Sequence, residues 1–113
     1  MNTDKSFCVV VNATGTVTNA NLSSGSLPTA ANLKTGQRIF IESVHVAAAG
    51  AGVVSLLDGS GGTVVFMAQF AAAGNDAHAD AFIPLTLGNG LYWSNTYAGV
   101  VNLVVCGSIQ GTA

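Results

Sequence analysis

The chain has 113 residues, half of them hydrophobic, and only 7% are charged, against about 25% in an ordinary soluble domain. Its net charge of −2 and its three cationic side chains exclude the basic patch that nucleic-acid binding requires. No apolar run approaches the ~18 residues of a membrane span, and the N-terminus lacks the pattern of a cleaved signal. The length predicts a single domain over residues 1–113. Because so weakly charged a surface favours association, we expect much of it to contact other protein.

Short runs rich in Val, Ile and Phe, bounded by Gly, Asn, Asp and Ser, predict that the chain is all-β. The first strand is predicted at 7–12. A polar, nearly uncharged segment follows at 14–36 and is too poor in large apolar residues to build a core of its own, so we interpret it as an extended loop or arm. Leu22, Leu27 and Leu33 are the candidates for anchoring this arm to the surface of a neighbour.

The later strands are predicted at 38–47, 53–57, 63–71, 78–85, 91–94 and 100–108. The segment 58–62, Asp-Gly-Ser-Gly-Gly, is a strong hairpin signal. Within 38–47 the apolar alternation changes phase, which predicts a β-bulge near Glu42 and Ser43. Seven or eight short strands at spacings near ten residues predict a single antiparallel β-sandwich or jelly roll. The strand order, which separates a jelly roll from an immunoglobulin-like sandwich, does not follow from the pattern.

Two cysteines, Cys8 and Cys106, lie near opposite ends of the chain. In a reducing cytoplasm they are expected to be buried free thiols that pack as small hydrophobic groups. The alternative is a disulfide that ties the first strand to the last.

One group of residues has the composition of a metal site. Asp76, His78 and Asp80 alternate along the chain, so an extended backbone places them on one face, where a divalent cation could be bound. A solvated polar face at the junction of a loop and a strand explains the same residues, and we expect no metal and no cofactor. His45, within an apolar strand, is expected to face solvent or a neighbouring subunit.

Neither a nucleophile elbow nor a phosphate-binding loop is found in the sequence. We therefore expect a protein that is not an enzyme and that has no catalytic residues. Tyr92, Trp93 and Tyr97 form an aromatic cluster near the end of the chain. Such a cluster could stack on a sugar ring, but strand alternation favours a division of its members between the core and a subunit contact.

The stretch 39–105, about three-fifths of the chain, resembles a class of small β proteins from tailed bacteriophages. The segments that carry the resemblance are IESVHV at 41–46, DG at 58–59, TVVF at 63–66, NGLY at 89–92 and VVNLVV at 100–105. The last strand departs from this pattern, because Cys106 and Gly107 stand where those proteins continue to an aromatic residue.

The resemblance implies a virion accessory protein of the capsid decoration or cement type, made in the host cytoplasm and located on the capsid surface. Its implied partners are the major capsid protein and further copies of itself, most simply as a trimer, without nucleic acid or membrane. It would bind the outside of an assembled capsid and bridge capsomers, with 14–36 as the contacting arm. The alternatives are a tail, fibre or host-surface-binding module of a virion, or a small carbohydrate-binding β-sandwich.

Overall fold

The computed structural model describes residues 5–22, 33, 36–48, 51–70, 75–80, 82–96 and 99–112. Every regular element in these ranges is a strand. The strands are β1 (Lys5–Thr14), β2 (Val17–Asn21), β3 (Gly36–Ala48), β4 (Gly52–Asp58), β5 (Thr63–Phe70), β6 (Asn75–Ala79), β7 (Ile83–Pro84), β8 (Leu91–Asn95) and β9 (Val100–Thr112). No helix among the described residues has the length and apolar character to cross a membrane.

The strands form two antiparallel sheets that pack face to face. Sheet A has the order β1-β9-β3-β6, with β7 pairing β3 beside β6, and sheet B has the order β2-β8-β4-β5. Because β6 and β7 occupy one position, the two sheets contain eight strand positions, and their order is that of a jelly roll. The predicted all-β sandwich is thus confirmed, and the strand order identifies it as a jelly roll.

The predicted bulge in β3 is present, since the register with β9 shifts between Ile41 and Ser43. An extra residue reverses the alternation of inward and outward side chains. Ile41 before the bulge and Val44 and Val46 after it therefore all face the interior, at 2% exposure or less. Apolar residues from both halves of this 13-residue strand enter the same core.

Gly107 in β9 lies beside this bulge. A Cβ atom on Gly107 would collide with the carbonyl oxygen of Phe40 and come close to the Cα atom of Ile41. The bulge thus brings the β3 backbone so near to β9 that only glycine fits at position 107.

The predicted arm at 14–36 is corrected in part by the structure. Residues 17–21 form β2, and the amide of Leu22 donates a hydrogen bond of 2.8 Å to the carbonyl of Leu91. Leu22 and Leu33 are 2% and 8% exposed and belong to the core of their own chain, so they do not anchor an arm on a neighbour. The composition concealed β2 because this edge strand adds only part of one face to the core. Leu27 lies outside the described residues.

The expectation of two buried free thiols was wrong. Cys8 and Cys106 are directly opposite each other in β1 and β9 and are joined by a disulfide, with their Cα atoms 4.1 Å apart. Phe7 and Val9 take the inward positions of β1, so alternation turns Cys8 outward, where it is exposed. The jelly-roll order makes the first and last strands neighbours, which the sequence pattern does not reveal.

The later strands follow the predictions closely, with one exception. The hairpin at 58–62 joins β4 to β5 as expected. The single strand predicted at 78–85 is instead divided into β6 and β7, which pair with different parts of β3. The interruption leaves this edge of sheet A short and irregular.

Candidate interaction surface

The outward side of sheet A carries a row of side chains that crosses all four strand positions. Val10 of β1 is opposite Val104 of β9, Val104 is opposite His45 of β3, and His45 is opposite His78 of β6. Val10 is 62% exposed. Neither β9 nor β1 from Ser6 onward contains a charged residue. This row and the outward residues around it are called the outer face of sheet A below.

An aromatic pair adds to the apolar character of this face. The rings of Phe40 and Phe82 stack with their centroids 4.9 Å apart and an interplanar angle of 25°. Phe40 is directly opposite Ser108 on one side and Pro84 on the other, so both of its cross-strand partners are uncharged. Phe82 is 61% exposed. Aromatic side chains, phenylalanine among them, are enriched in the buried cores of protein interfaces.

Exposed apolar side chains also occur elsewhere on the sandwich. Among the residues that the structure describes, the large hydrophobic side chains that are at least 45% exposed are those of Val10, Val64, Met67, Phe82, Leu87 and Val100. Single exposed hydrophobic residues are ordinary, but here they occur on a chain with only eight charged side chains to keep it soluble. Such a surface is typical of a protein that works in contact with other proteins.

The structure brings together part of the candidate metal group. His78 Nε2 lies 3.1 Å from Asp80 Oδ1, and both side chains are mostly exposed. The imidazole of His78 also stacks on that of His45, with centroids 5.6 Å apart. Asp76 is opposite Ala47 in the β3–β6 ladder, but its side chain lies outside the described residues. Within the described part of the chain, no three His, Cys, Asp or Glu residues are grouped so that they could hold a metal ion.

The aromatic cluster is divided by strand alternation. Trp93 is 4% exposed and belongs to the core, so it is not available to stack on a sugar. Tyr92, on the opposite side of β8, is half-buried, and its hydroxyl accepts a hydrogen bond of 3.3 Å from Asn21 Nδ2. Tyr97 lies outside the described residues.

Asp58 organises the loops at one end of the sandwich. Its carboxylate accepts hydrogen bonds from the amide and the hydroxyl of Thr86 and from Asn89 Nδ2, at 2.6–3.1 Å. Partial burial opposes ionisation of Asp58, but these hydrogen bonds and the positive charge of Arg38 outweigh it and lower the pKa of the carboxyl. Because the oxygens of Asp58 are occupied by these donors, the cluster is a structural connection between two loops.

Asn19 has a similar role at the edge of sheet B. It adopts a positive φ of 47°, a conformation that asparagine tolerates better than most residues. Its side-chain Oδ1 accepts a hydrogen bond of 2.7 Å from the backbone amide of Gly61, and its backbone amide donates one of 2.9 Å to Ser94 Oγ. The irregular edge strand β2 is thereby fixed to β8 and to the β4–β5 hairpin.

No protein-family model and no curated protein matches this chain by sequence. By structure, the chain is similar to the coat protein of Tobacco streak virus, with a TM-score of 0.50, 12% identity, and coverage of 95% of this chain and 86% of that one. It is also similar to a protein of Bacillus endospore appendages, disulfide-linked pili (TM-score 0.48, 19% identity, coverage 99% and 90%). A third similar structure is the virus-like particle of Macrobrachium rosenbergii extra small virus (TM-score 0.40, 17% identity, coverage 99% and 80%). At these identities the similarity concerns the fold alone.

Sequence reasoning missed the residues that define the outer face of sheet A. Val9, Val10 and Val11 form an unbroken apolar run, which hides the fact that Val10 faces away from the core. The inward positions of Phe7 and Val9 would have placed Val10 outside once the strand was recognised. No signal in the sequence placed Phe82 on Phe40, because that contact depends on the pairing of β7 with β3.

Proposed function

We propose that this chain is a capsid decoration or cement protein, a structural virion component without enzymatic activity that binds the outside of an assembled phage capsid and bridges capsomers. The observation that carries this proposal is the outer face of sheet A, where the exposed Val10 of β1 lies beside the uncharged strand β9 and the exposed Phe82 stacks on Phe40 of β3. Such a face does not stabilise a solvated monomer. A partner that covers it removes apolar surface from water, which lowers the free energy of the complex.

Two further features support a role in a virion. Jelly rolls are a common fold of viral shell proteins. The disulfide between Cys8 and Cys106 is the kind of bond that persists on virion surfaces and outside cells, whereas a cytoplasm keeps thiols reduced. The protein would be synthesised in the host cytoplasm with both thiols reduced, and the bond would form and persist once the particle had been released.

The mechanism of stabilisation is mass action. A protein that binds the assembled shell and not its separated subunits shifts the equilibrium toward the shell, by about 2.7 kcal/mol per site at a hundredfold excess over the dissociation constant. The trimer implied by the phage resemblance would match the threefold positions of a shell, and it stays a prediction. A sugar-binding surface built on Tyr92, Trp93 and Tyr97 is not proposed, because Trp93 is buried.

Co-sedimentation tests the proposal directly. The purified protein is mixed with empty shells assembled from the major capsid protein of the virus that encodes this chain and, separately, with unassembled capsid subunits. We expect saturable binding to shells only, together with a higher dissociation temperature of the shells.

Phe82→Asp should weaken this binding at least about tenfold. Leu87→Asp is the matched control, since Leu87 is also about half exposed but lies in a turn beyond β7, and it should bind like the unmodified protein. Equal binding to shells and subunits, or no binding to either, would contradict the proposal.

A further inference from the structure

The four edges of the two sheets differ in how they are protected against pairing with another strand. Unprotected edges promote association, and natural proteins shorten, bulge, twist or charge them. In sheet B, β2 has five residues, a register shift and the left-handed Asn19. Across the same sheet, β5 has a register shift that leaves Val65 without an opposite residue. The β6–β7 edge of sheet A is interrupted and carries the exposed His78 and Asp80.

The β1 edge has none of these protections. It is ten residues long, contains no proline, carries no charge after Lys5, and keeps an unshifted register with β9 from end to end. Among the described residues, β9 is the only strand that pairs with it. The exposed Val10 stands at the middle of this edge, on the outer face of sheet A.

The pairing geometry identifies the backbone groups that point toward the open side. Directly opposite residues in an antiparallel pair are about 5.5 Å apart at Cα when they exchange hydrogen bonds and about 4.5 Å apart when they do not. The Cα atoms of Cys8 and Cys106 are 4.1 Å apart, so these two residues form a non-hydrogen-bonded pair. The amide and carbonyl of Cys8 therefore point away from β9, and by alternation so do those of Val10, Asn12 and Thr14.

From this edge we infer a twofold contact between two copies of the chain, in which β1 pairs antiparallel with β1 of a second copy around Val10. Centring the contact on Val10 places Val10 opposite Val10, Val9 opposite Val11, and Cys8 opposite Asn12. The two valine pairs bring aliphatic side chains together, and none of the three kinds of pair sets one charge against another. Residues 8–12 supply about six backbone hydrogen bonds in this register.

A second copy is the occupant that the strand itself favours. A twofold contact requires a self-complementary surface, and the segment Cys-Val-Val-Val-Asn is nearly symmetric about Val10 in size and polarity. The result is an eight-position sheet that runs through both sandwiches. This contact shares Val10 with the face proposed to bind a shell but does not include the aromatic pair Phe40–Phe82, and it is tested without shells, so either proposal can fail without the other.

Light scattering on the purified protein from dilute to concentrated solution tests the contact. The unmodified protein should increase in mass with concentration. Val10→Lys places two like charges opposite each other and should raise the dissociation constant about tenfold or more, whereas the conservative Val10→Thr should not. Met67→Lys is the matched control, because Met67 is 60% exposed on β5, an edge strand of sheet B, and this variant should associate normally.

A second variant tests the same edge independently, in case Val10→Lys does not fold. The amide of Asn12 points to the open side, so Asn12→Pro removes no hydrogen bond to β9 but blocks an incoming strand. It should lose association while keeping the far-ultraviolet spectrum of the unmodified protein. In hydrogen exchange, the amides of Val10 and Asn12 should become protected as concentration rises.

Three results would overturn the inference. The first is a mass that stays that of one chain up to the highest concentration, and the second is a loss of association in Met67→Lys as well as, or instead of, Val10→Lys. The third is protection of the Val10 and Asn12 amides in samples whose mass is that of one chain, since the edge would then be covered by a segment of its own chain.

Discussion

Sheet A and sheet B are held together by different means. In sheet A the 13-residue strands β3 and β9 form a long ladder, and a disulfide joins β9 to β1. The strands of sheet B have five to eight residues, and polar side chains fasten their ends. Asn95 Nδ2, for example, donates to the carbonyl of Gly15 at 2.9 Å, and Thr96 Oγ1 accepts the amide of Val53 at 2.8 Å.

The difference shows how a chain with few charges satisfies its backbone. A long ladder pairs its own amides and carbonyls, whereas short strands leave more of these groups at their ends, where a side chain or water must pair with them. Asparagine, serine and threonine fill this role in sheet B. The His78–Asp80 contact of sheet A is exposed, and exposed contacts of this kind add little to stability.

The largest expected effect concerns the disulfide of sheet A. Replacing both cysteines, as Cys8→Ser with Cys106→Ser, removes a link between residues 98 positions apart and should lower the free energy of unfolding by about 4 kcal/mol. Urea titration measures the change. A reducing agent should destabilise the unmodified protein by a similar amount and leave the double variant unaffected. An unchanged midpoint in the double variant would show that the ladder alone holds β1.

Next in size is Gly107→Ala at the bulge of sheet A. The added methyl group meets the carbonyl of Phe40, and the free energy of unfolding should fall by about 3 kcal/mol because two backbones must separate. Ser108→Ala is the control, since its side chain lies on the outer face and receives one hydrogen bond from Gln110. Equal destabilisation by the two variants in thermal melts would argue against a backbone clash.

Sheet B is tested by Asn95→Ala. Asn95 is the one buried polar side chain among the described residues, at 2% exposure, and its loss leaves the carbonyl of Gly15 without this donor. Chemical denaturation should show that Asn95→Ala lowers the free energy of unfolding by about 2 kcal/mol. Asn102→Ala, at an exposed position of β9, should change stability by less than about 0.5 kcal/mol. If the two substitutions lower the free energy of unfolding equally, side-chain hydrogen bonds at the strand ends do not distinguish sheet B from sheet A.

The smallest effect is a pH dependence from Asp58, which lies at the end of β4 in sheet B. Folding lowers the pKa of this carboxyl. Its contribution to the free energy of unfolding is therefore fully present above the ordinary aspartate pKa of about 3.9, and it is lost as the pH falls through the lower pKa of the folded state. The carboxylate is only partly buried, so solvent screens its interactions, and Asp58→Asn should lower the free energy of unfolding by less than about 1 kcal/mol at neutral pH. The difference between variant and unmodified protein should vanish in acid, and a difference that persists there would exclude ionisation as its source.

The strands themselves were predictable because their evidence is local. The hairpin at 58–62 and the bulge between Ile41 and Ser43 were both read from neighbouring residues, since turn glycines and a change of alternation act over a few positions. The strand β2 was missed because VTNAN contains only one large apolar residue. The core positions of Leu22 and Leu33 were missed for a related reason, because a single leucine in a polar segment does not show whether it returns to its own core.

The candidate surface was less predictable than the fold. The weak charge indicated that protein contacts are needed, but not where they lie. Val10 was hidden in an apolar run, and the stacking of Phe82 on Phe40 depends on β7, whose pairing partner lies more than 40 residues earlier in the chain.

The sequence by itself determined that this protein is an all-β sandwich with a surface that favours contact with other protein. Alternation, turn residues and charge are properties of the chain in one dimension, and they suffice for those conclusions. The tertiary structure alone decided the jelly-roll order, the disulfide and the unprotected edge at β1. Each of these depends on which distant strands become neighbours, and packing two sheets around one core sets that choice.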